Sequence, residues 1–377
     1  MKKIAIIGGG ISGLYFANLL QKNQKYKYKI FEKKSNFELS DGYGIQLSVN
    51  SIKLLNEIGF KNIEPHKIFF PKKVNFIDAK SCKKICDIDI SKFNYDNNNY
   101  TTLKRSTLLN FLLKNIPESS IIQNCELTSI NYEDKISLSF SNKHIEKFDY
   151  LLISDGVYSK SKNIIFQKEI SPKYFNFVAL RGNIKNFESS DISIYLGPNF
   201  HFVIYPVNQN KEFNFISIIK KNLKKEEIFD KNYFENYKFL NSLINAISLK
   251  TSFNLIDKIE NIKSFPVFVS DKFIKPEEKN IFFVGDALYA FPPSFAQGSS
   301  QSIEASKEVY EEIENNTNNY YEKRYEKIKS INSRSTLNHF AFHLSNPLTV
   351  FARNIVLKYL TKNKKFLENY LGKIYNS

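Results

Sequence analysis

The first 35 residues alternate between two hydrophobic periods. Short apolar runs at Lys3–Ile7 and Tyr28–Phe31 predict buried strands, whereas Leu14, Ala17 and Leu20 recur between them at the spacing of one helix face. The chain therefore begins with a predicted strand, helix and strand, the order from which a parallel sheet is built.

The pattern changes several times along the rest of the chain. Alternation in the middle third predicts strands, and one run places Phe200 and Phe202 on the opposite face from His201, Val203 and Tyr205. In order, the pattern predicts a hairpin over 70–90, a helix over 102–113, strands over 121–139, a buried strand over 149–153, a mainly β segment over 174–262 and a mainly helical segment over 307–377. This mixture indicates an α/β fold.

Three glycines directly follow the first strand. Gly8, Gly10 and Gly13 form a G-x-G-x-x-G pattern, and Glu32 ends the second strand nineteen residues after Gly13. In this context the first glycine makes a tight turn, the second lets the backbone approach a pyrophosphate, and the third lets helix and strand pack closely. The acid can bind the two ribose hydroxyls and disfavours a 2′-phosphate. The pattern therefore predicts an ADP-containing dinucleotide, without distinguishing NAD from FAD.

Two further strands end in an acid next to a glycine. Gly285 and Asp286 follow the apolar run 281–284, and Asp155 and Gly156 follow the strand over 149–153. Open α/β sheets bind ligands at the carboxyl ends of their strands, although ordinary turns also favour Gly and Asp. After a loop with two prolines, small residues open a helix whose first N–H groups are unpaired. These segments predict ligand contacts at the same sheet edge.

Composition narrows the class of protein. The chain has 377 residues, of which 42 % are hydrophobic, enough for two domains and a large core. The net charge is +16, but the lysines are scattered, so we interpret the charge as compositional bias and expect no nucleic-acid partner; an anionic membrane surface is the alternative. Three cysteines form neither a disulfide framework nor a zinc spacing. This predicts no metal site and fits a reduced, cytoplasmic compartment.

Together these motifs resemble the single-component FAD-dependent aromatic hydroxylases, the family that includes salicylate and 4-hydroxybenzoate hydroxylases. The resemblance covers nearly the whole chain. It rests on GGGISG with Glu32, LLISDGVYSKSK and FFVGDALYAFPPSFAQGSSQSIEA, and more weakly on VALRGNI, FVIYPV and SRSTLNHFAFHLSNP, which look like the salicylate hydroxylase branch. It implies a Rossmann-like FAD-binding domain with a mostly parallel sheet over 1–69, 101–172 and 265–345, interleaved with a mainly antiparallel substrate-binding β-sheet domain over 70–100 and 173–264, and a C-terminal helical segment over 346–377.

The resemblance also implies a reaction and a set of site residues. The protein would be a monooxygenase, an oxidoreductase that binds FAD tightly but non-covalently. It would use NAD(P)H transiently and O₂ to hydroxylate a small phenolic or aromatic-acid substrate through a flavin hydroperoxide. Arg105 would reach the cofactor, Asp155 would lie near FAD or the incoming NAD(P)H, and Asp286 would hold the ribityl-pyrophosphate region. The expected cofactor-binding residues are Gly8, Gly10, Ile11, Ser12, Gly13, Glu32, Lys33, Gly44, Ile45, Arg105, Leu127, Asp155, Gly285, Asp286, Pro293, Gly298, Ser299 and Ser300, and the expected catalytic or substrate-contacting residues are Arg181, His201, Tyr205 and Pro292.

Some features leave alternatives open. Tyr289 stands where many members of the family have His, and Ala305 follows Glu304 where they have an acid. The absence of tryptophan disfavours flavin halogenases and Baeyer–Villiger enzymes, whose motifs contain it. The basic, amphipathic tail over 350–374 favours packing on the FAD-binding domain, with membrane contact by a hydroxylase of a prenylated ubiquinone precursor as the alternative. A flavin-bound reductase or redox interaction protein without oxygenation is the alternative of another class. We expect a monomer or homodimer.

Overall fold

The computed structural model describes residues 1–37, 39, 43–255 and 257–375. Within these ranges the strands are β1 (Lys3–Ile7), β2 (Lys27–Phe31), β3 (Gly44–Leu47), β4 (Ile68–Phe69), β5 (Lys73–Asp78), β6 (Lys84–Asp89), β7 (Thr101–Lys104), β8 (Ile121–Ile122), β9 (Leu127–Tyr132), β10 (Ile136–Phe140), β11 (Ile145–Phe148), β12 (Tyr150–Ile153), β13 (Lys173–Ile184), β14 (Ile192–Gly197), β15 (Phe200–Pro206), β16 (Phe213–Lys220), β17 (Ile259–Val269) and β18 (Ile281–Phe283). The α-helices are α1 (Ile11–Asn23), α2 (Val49–Glu57), α3 (Arg105–Leu113), α4 (Lys160–Phe166), α5 (Lys225–Phe229), α6 (Lys231–Glu235), α7 (Tyr237–Ser248), α8 (Gly298–Asn315), α9 (Tyr320–Phe342), α10 (Pro347–Leu360), α11 (Lys364–Leu367) and α12 (Lys373–Tyr375).

A five-stranded parallel sheet has the order β18-β12-β1-β2-β8. Ile7 at the end of β1 is in register with Phe31 of β2 and Ile153 of β12, and Ile153 is in register with Phe283 of β18. Ile4 to Ile7 are buried throughout, as expected for a parallel strand covered on both faces. The carboxyl ends of these strands therefore meet at one edge, which brings together the predicted turns after each of them.

A seven-stranded sheet has the order β17-β13-β16-β15-β14-β5-β6 and is antiparallel except where β14 pairs with β5. Phe200 and Phe202 of β15 pack in a core with Phe239 and Leu243 of α7. His201, Val203 and Tyr205 line a cavity on the opposite face. The predicted division of the two faces of β15 is confirmed, and it aims the polar side chains of this strand at a cavity.

Two element predictions are wrong in part. The helix predicted over 102–113 begins only at Arg105, because Thr101–Lys104 is the middle strand of the sheet β3-β7-β4. The segment over 174–262, predicted to be mainly β, also contains the helices α5, α6 and α7. In α7 the apolar residues Phe239, Leu243 and Ile247 recur at helical spacing. The predicted domain boundaries stay a prediction; β17 extends the seven-stranded sheet to Val269.

The C-terminal segment packs on both parts of the fold, so its predicted packing on the FAD-binding domain holds only for its end, where Leu371 and Ile374 share a core with Val49 of α2. Phe342 at the end of α9 and Leu357 of α10 pack against Phe76 and Ile88 of the β5–β6 hairpin. These strands offer an apolar face that the parallel sheet, already covered by its own helices, does not. No helix within the described ranges is long and apolar enough to cross a membrane.

Candidate active site

A cleft follows the carboxyl edge of the parallel sheet and continues beneath the seven-stranded sheet. It consists of a cavity of about 240 Å³ beside β1 and β2 and a cavity of about 940 Å³ between the two sheets. Gly10, Arg105, Ser154 and Gly156 line both cavities. The two cavities are therefore parts of one cleft, and Arg105 lies at their junction.

The three glycines after β1 have different surroundings. Gly8 has a φ of +100°, and a Cβ there would lie 2.6 Å from the carbonyl oxygen of Ser154. A Cβ at Gly13 would lie 2.2 Å from the carbonyl oxygen of Gly8, so these two positions require glycine for packing. A Cβ at Gly10 would have no neighbour closer than 4.0 Å. The space in front of Gly10 belongs to the cleft, where Ile11 and Ser12 at the start of α1 also lie.

Glu32 lies in the small cavity, together with Lys33 and Leu127. One carboxylate oxygen, Oε2, accepts a hydrogen bond from the backbone N–H of Gly9 at 2.8 Å, and Oε1 accepts one from the N–H of Lys34 at 3.0 Å. These bonds hold the carboxylate beside the glycine turn, where a carboxylate can bind the hydroxyls of a ribose.

Two carboxylates, Asp155 and Asp286, line the cleft, and the buried amine of Lys162 lies behind them. Oδ2 of Asp155 accepts hydrogen bonds from the N–H and Oγ–H of Ser161 at 3.2 and 2.8 Å, whereas Oδ1 is buried without a partner among the described residues. Asp286 is exposed, but only to the space of the cleft that it lines. Desolvation raises the pKa of both carboxyls. Lys162 is 6 % exposed, and burial lowers its pKa against the opposing charges of Asp155 and Asp286. Sequence reasoning missed Lys162, although it follows Asp155 within the same motif.

The loop after β18 and the start of α8 form one wall of the large cavity. Pro292, Pro293, Gly298 and Ser299 all line it, and a Cβ at Gly298 would have no neighbour within 4 Å. The side chain of Ser300 turns away from the cavity, with its Oγ 2.9 Å from Oγ of Ser51 on α2, so the predicted cofactor contact of Ser300 stays a prediction and would have to involve its backbone.

Gly285 shapes the cleft without lining it. Its φ is +59°, and a Cβ there would lie 2.9 Å from Oγ of Ser302 and 3.0 Å from Oγ of Ser12. The sharp turn at Gly285 is therefore what places Asp286 in the cleft.

The seven-stranded sheet supplies the opposite wall with the predicted substrate-contacting residues. The guanidinium of Arg181 lies 5.9 Å from the ring centre of Tyr43. Tyr205 is 3 % exposed and hydrogen-bonds with Gln46, and burial raises its pKa well above the ordinary value, so its phenol stays protonated. Gly44 and Ile45 of β3 lie in the same wall. Asp41 and Gly42, which precede them, lie outside the described residues.

Three histidines form a buried chain beside the large cavity. Nδ1 of His201 lies 3.2 Å from Nε2 of His343. The other ring nitrogen of His343, Nδ1, lies 2.6 Å from the carbonyl oxygen of His339. Burial lowers the pKa of all three, that of His339 to about 3, so they are neutral at physiological pH. Neutral His343 carries one N–H, and each of its ring nitrogens faces a carbonyl oxygen: Nδ1 that of His339 at 2.6 Å and Nε2 that of Ile218 at 3.2 Å. We place the proton on Nδ1, which makes the shorter contact, so that Nε2 accepts from Nδ1–H of His201. Nε2 of His201 is then an acceptor, and His201 lines the cavity.

Sequence reasoning also missed the C-terminal contribution to the cavity. His339 of α9 and His343, the residue after the end of α9, are four residues apart, and this spacing was the available signal that they lie on the same side. The residues that line the cavity itself come from α9, α10 and the end of the chain: Leu337, Asn338, Phe340, Leu344, Arg353, Val356, Leu360, Phe366, Tyr370 and Tyr375.

The fold and the motifs of the cleft have counterparts in known proteins. A model of an NAD(P)-binding Rossmann-like domain matches residues 6–37. The chain is similar to 6-hydroxynicotinate 3-monooxygenase of Bordetella bronchiseptica, with 22 % identity over 314 residues, covering 80 % of each chain. It is also similar to salicylate hydroxylase of Pseudomonas putida, with 20 % identity over 347 residues, covering 80 % of this chain and 74 % of the relative. A variant of HpxO from Klebsiella pneumoniae, solved with FAD, superposes with a TM-score of 0.81 at 15 % identity, covering 100 % of this chain and 97 % of that one.

These comparisons confirm the predicted resemblance and the predicted fold class. The homologues of this chain are FAD-dependent aromatic monooxygenases, which are oxidoreductases, and its structural neighbours belong to the same class. The predicted enzyme class and FAD as cofactor agree with these relatives. The roles assigned to individual site residues stay predictions.

Proposed function

We propose that this protein is an FAD-dependent monooxygenase that uses NAD(P)H and O₂ to hydroxylate a small aromatic substrate. The observation that carries the proposal is the continuity of the cleft, which leads from the glycine turn and Glu32 into a chamber with a mainly apolar lining. A volume of about 940 Å³ is near the upper end for one drug-sized ligand, so this chamber has room for part of a cofactor beside a small substrate.

The residues present fit FAD. The space in front of Gly10 would take the pyrophosphate, Glu32 the ribose, and Arg105 and Asp286 the middle of the cofactor. The unpartnered Oδ1 of Asp155 is a further acceptor for a ligand group. The wall formed by Pro292 and Pro293 and the start of α8 would face the flavin ring. When bound and reduced, FAD would supply the electrons that activate O₂, and O₂ would be the source of the transferred oxygen atom.

The chain itself would position the substrate and exclude water. Val203, Ile216 and Phe291 give the chamber apolar walls, which protect a water-sensitive reaction. Nε2 of neutral His201 can accept a hydrogen bond from a substrate phenol and so raise the electron density of its ring. The guanidinium of Arg181 can pair with the carboxylate of an aromatic acid.

Product analysis under isotope-labelled O₂ tests the proposal. The purified holoprotein would be incubated with NADH or NADPH and a panel of aromatic acids and phenols, and the products analysed by mass spectrometry. We expect one labelled oxygen atom in a hydroxylated product. NAD(P)H oxidation without labelled product from any aromatic would instead support the flavin-bound reductase.

A further inference from the structure

The large cavity opens to solvent between α9 and α10. Leu337, Phe340 and Val356 line this cavity and are each more than half exposed. An opening lined by exposed apolar side chains is costly in water unless something covers it. The surface around this opening is therefore where an apolar partner is expected.

Helix α10 carries apolar residues on its outward side. Leu348, Phe351, Ile355 and Tyr359 are 79, 67, 53 and 69 % exposed. Their spacing places them along one side of the helix, which we call the α10 face. The inward side holds Arg353, which is 6 % exposed and donates from Nε to Oδ1 of Asn354 at 3.1 Å, together with Leu357, which packs against the β5–β6 hairpin. Helix α10 therefore has apolar side chains on its outward side as well as its inward side, whereas a surface helix usually turns its apolar residues only to the core.

The chain segment that contains the α10 face carries charge of one sign. Between Glu326 and Glu368 the sequence contains no acidic residue and eight basic ones: Lys327, Lys329, Arg334, Arg353, Lys358, Lys362, Lys364 and Lys365. Lys358, Lys362, Lys364 and Lys365 are exposed and lie at or just beyond the end of α10. Apolar side chains flanked by lysines match the boundary between the acyl chains and the headgroups of an anionic bilayer. A symmetric contact between two copies would instead bring these lysines against each other.

We propose that the α10 face is a docking surface for an anionic lipid bilayer. Docking would insert Leu348, Phe351, Ile355 and Tyr359 below the headgroups and would place the opening of the large cavity at the membrane surface. An apolar substrate dissolved in the bilayer could then reach the chamber without crossing water. Docking itself does not depend on the proposed reaction.

Vesicle flotation tests docking without measuring catalysis. The full-length holoprotein would be mixed with vesicles of phosphatidylcholine alone or with 30 % phosphatidylserine (about a third anionic lipid, enough for a negative surface potential). We expect flotation with the anionic vesicles and its loss at high salt, because salt screens the lysines. Replacing Lys358, Lys362, Lys364 and Lys365 by Gln should weaken binding about fivefold per lysine.

The double variant Phe351→Ser, Ile355→Ser should lose flotation while keeping its melting temperature and its flavin, because neither side chain lines the cavity. Tyr237→Ser is the matched control, since Tyr237 is 76 % exposed on α7, across the seven-stranded sheet from the cavity. Absence of wild-type flotation on anionic vesicles would overturn the proposal, as would equal loss in the control. A concentration-dependent dimer that the double variant abolishes, without vesicle binding, would overturn it in favour of self-association.

Discussion

Replacing Gly10 by Val separates the cofactor role of the glycine turn from its folding role. Gly10 has φ −81° and ψ −173°, an extended conformation that valine adopts without strain. Because a Cβ would have no neighbour closer than 4.0 Å, the valine methyl groups would enter the cleft rather than the core. We therefore expect the flavin-free variant to be as stable as the flavin-free wild type, within about 1 kcal/mol.

The expected loss of cofactor affinity is large. If the methyl groups keep a pyrophosphate from two backbone N–H groups, each lost bond to a charged group costs about 1.5–3 kcal/mol. Together these losses weaken binding by at least a factor of about 100, since 1.4 kcal/mol is tenfold.

Flavin content after purification and the melting temperature of the flavin-free forms provide the assay. Gly13→Ala is the contrasting variant, because its Cβ would lie 2.2 Å from the carbonyl oxygen of Gly8 and should destabilise the fold by about 1–3 kcal/mol. A Gly10→Val protein that purifies with full flavin would refute the assignment of the pyrophosphate site. Unfolding of that variant would refute the steric reasoning.

Three further predictions concern the core and the histidines. Arg324 is 1 % exposed and pairs with Glu304 at 3.1 Å and Glu308 at 2.6 Å, so Arg324→Ala should lower the free energy of unfolding in urea by about 3–5 kcal/mol. Lys231→Ala, which removes an exposed ion pair, should lower it by less than about 1 kcal/mol. Equal losses in the two variants would contradict the assignment of Arg324 to a buried ion-pair network. Because burial lowers the pKa of three histidines, the unfolded chain binds more protons than the folded chain below about pH 6.5. The free energy of unfolding should therefore be full above that pH and fall towards pH 5 by up to about 1.4 kcal/mol per pH unit per histidine. His339→Gln should make this pH dependence less steep in unfolding curves measured at several pH values. His201→Leu, which removes a hydrogen bond worth about 0.5–1.5 kcal/mol, should lower kcat for a phenol by up to about tenfold with a smaller change in KM, and an unchanged kcat would exclude His201 as the hydrogen-bond acceptor.

The parts of the site that sequence reasoning predicted depend on short-range spacing. The glycine turn with Glu32 is one example, since the tight contacts at Gly8 and Gly13 follow from residues that are adjacent in the chain. The division of the faces of β15 is another, because alternation alone puts His201 and Tyr205 on the same side.

The parts that it missed depend on contacts between distant segments. His201 and His343 are 142 residues apart and meet only because α9 packs against the seven-stranded sheet. Dense aromatic residues hid the helical spacing of α7, and the side chain of Ser300 could not be oriented without knowing where α8 begins. The outward apolar side of α10 was likewise not recognised, since amphipathic spacing shows that a face exists but not which way it points.

The monooxygenase proposal is tested most directly by the rate at which NADH and NADPH reduce the bound flavin. This rate would be measured with and without a panel of aromatic acids, simple phenols and one prenylated phenol. We expect that a panel member accelerates reduction and that the reduced protein then consumes O₂ and releases a hydroxylated product. Fast reduction that is indifferent to every aromatic compound, with no hydroxylated product, would contradict the monooxygenase proposal and favour a reductase.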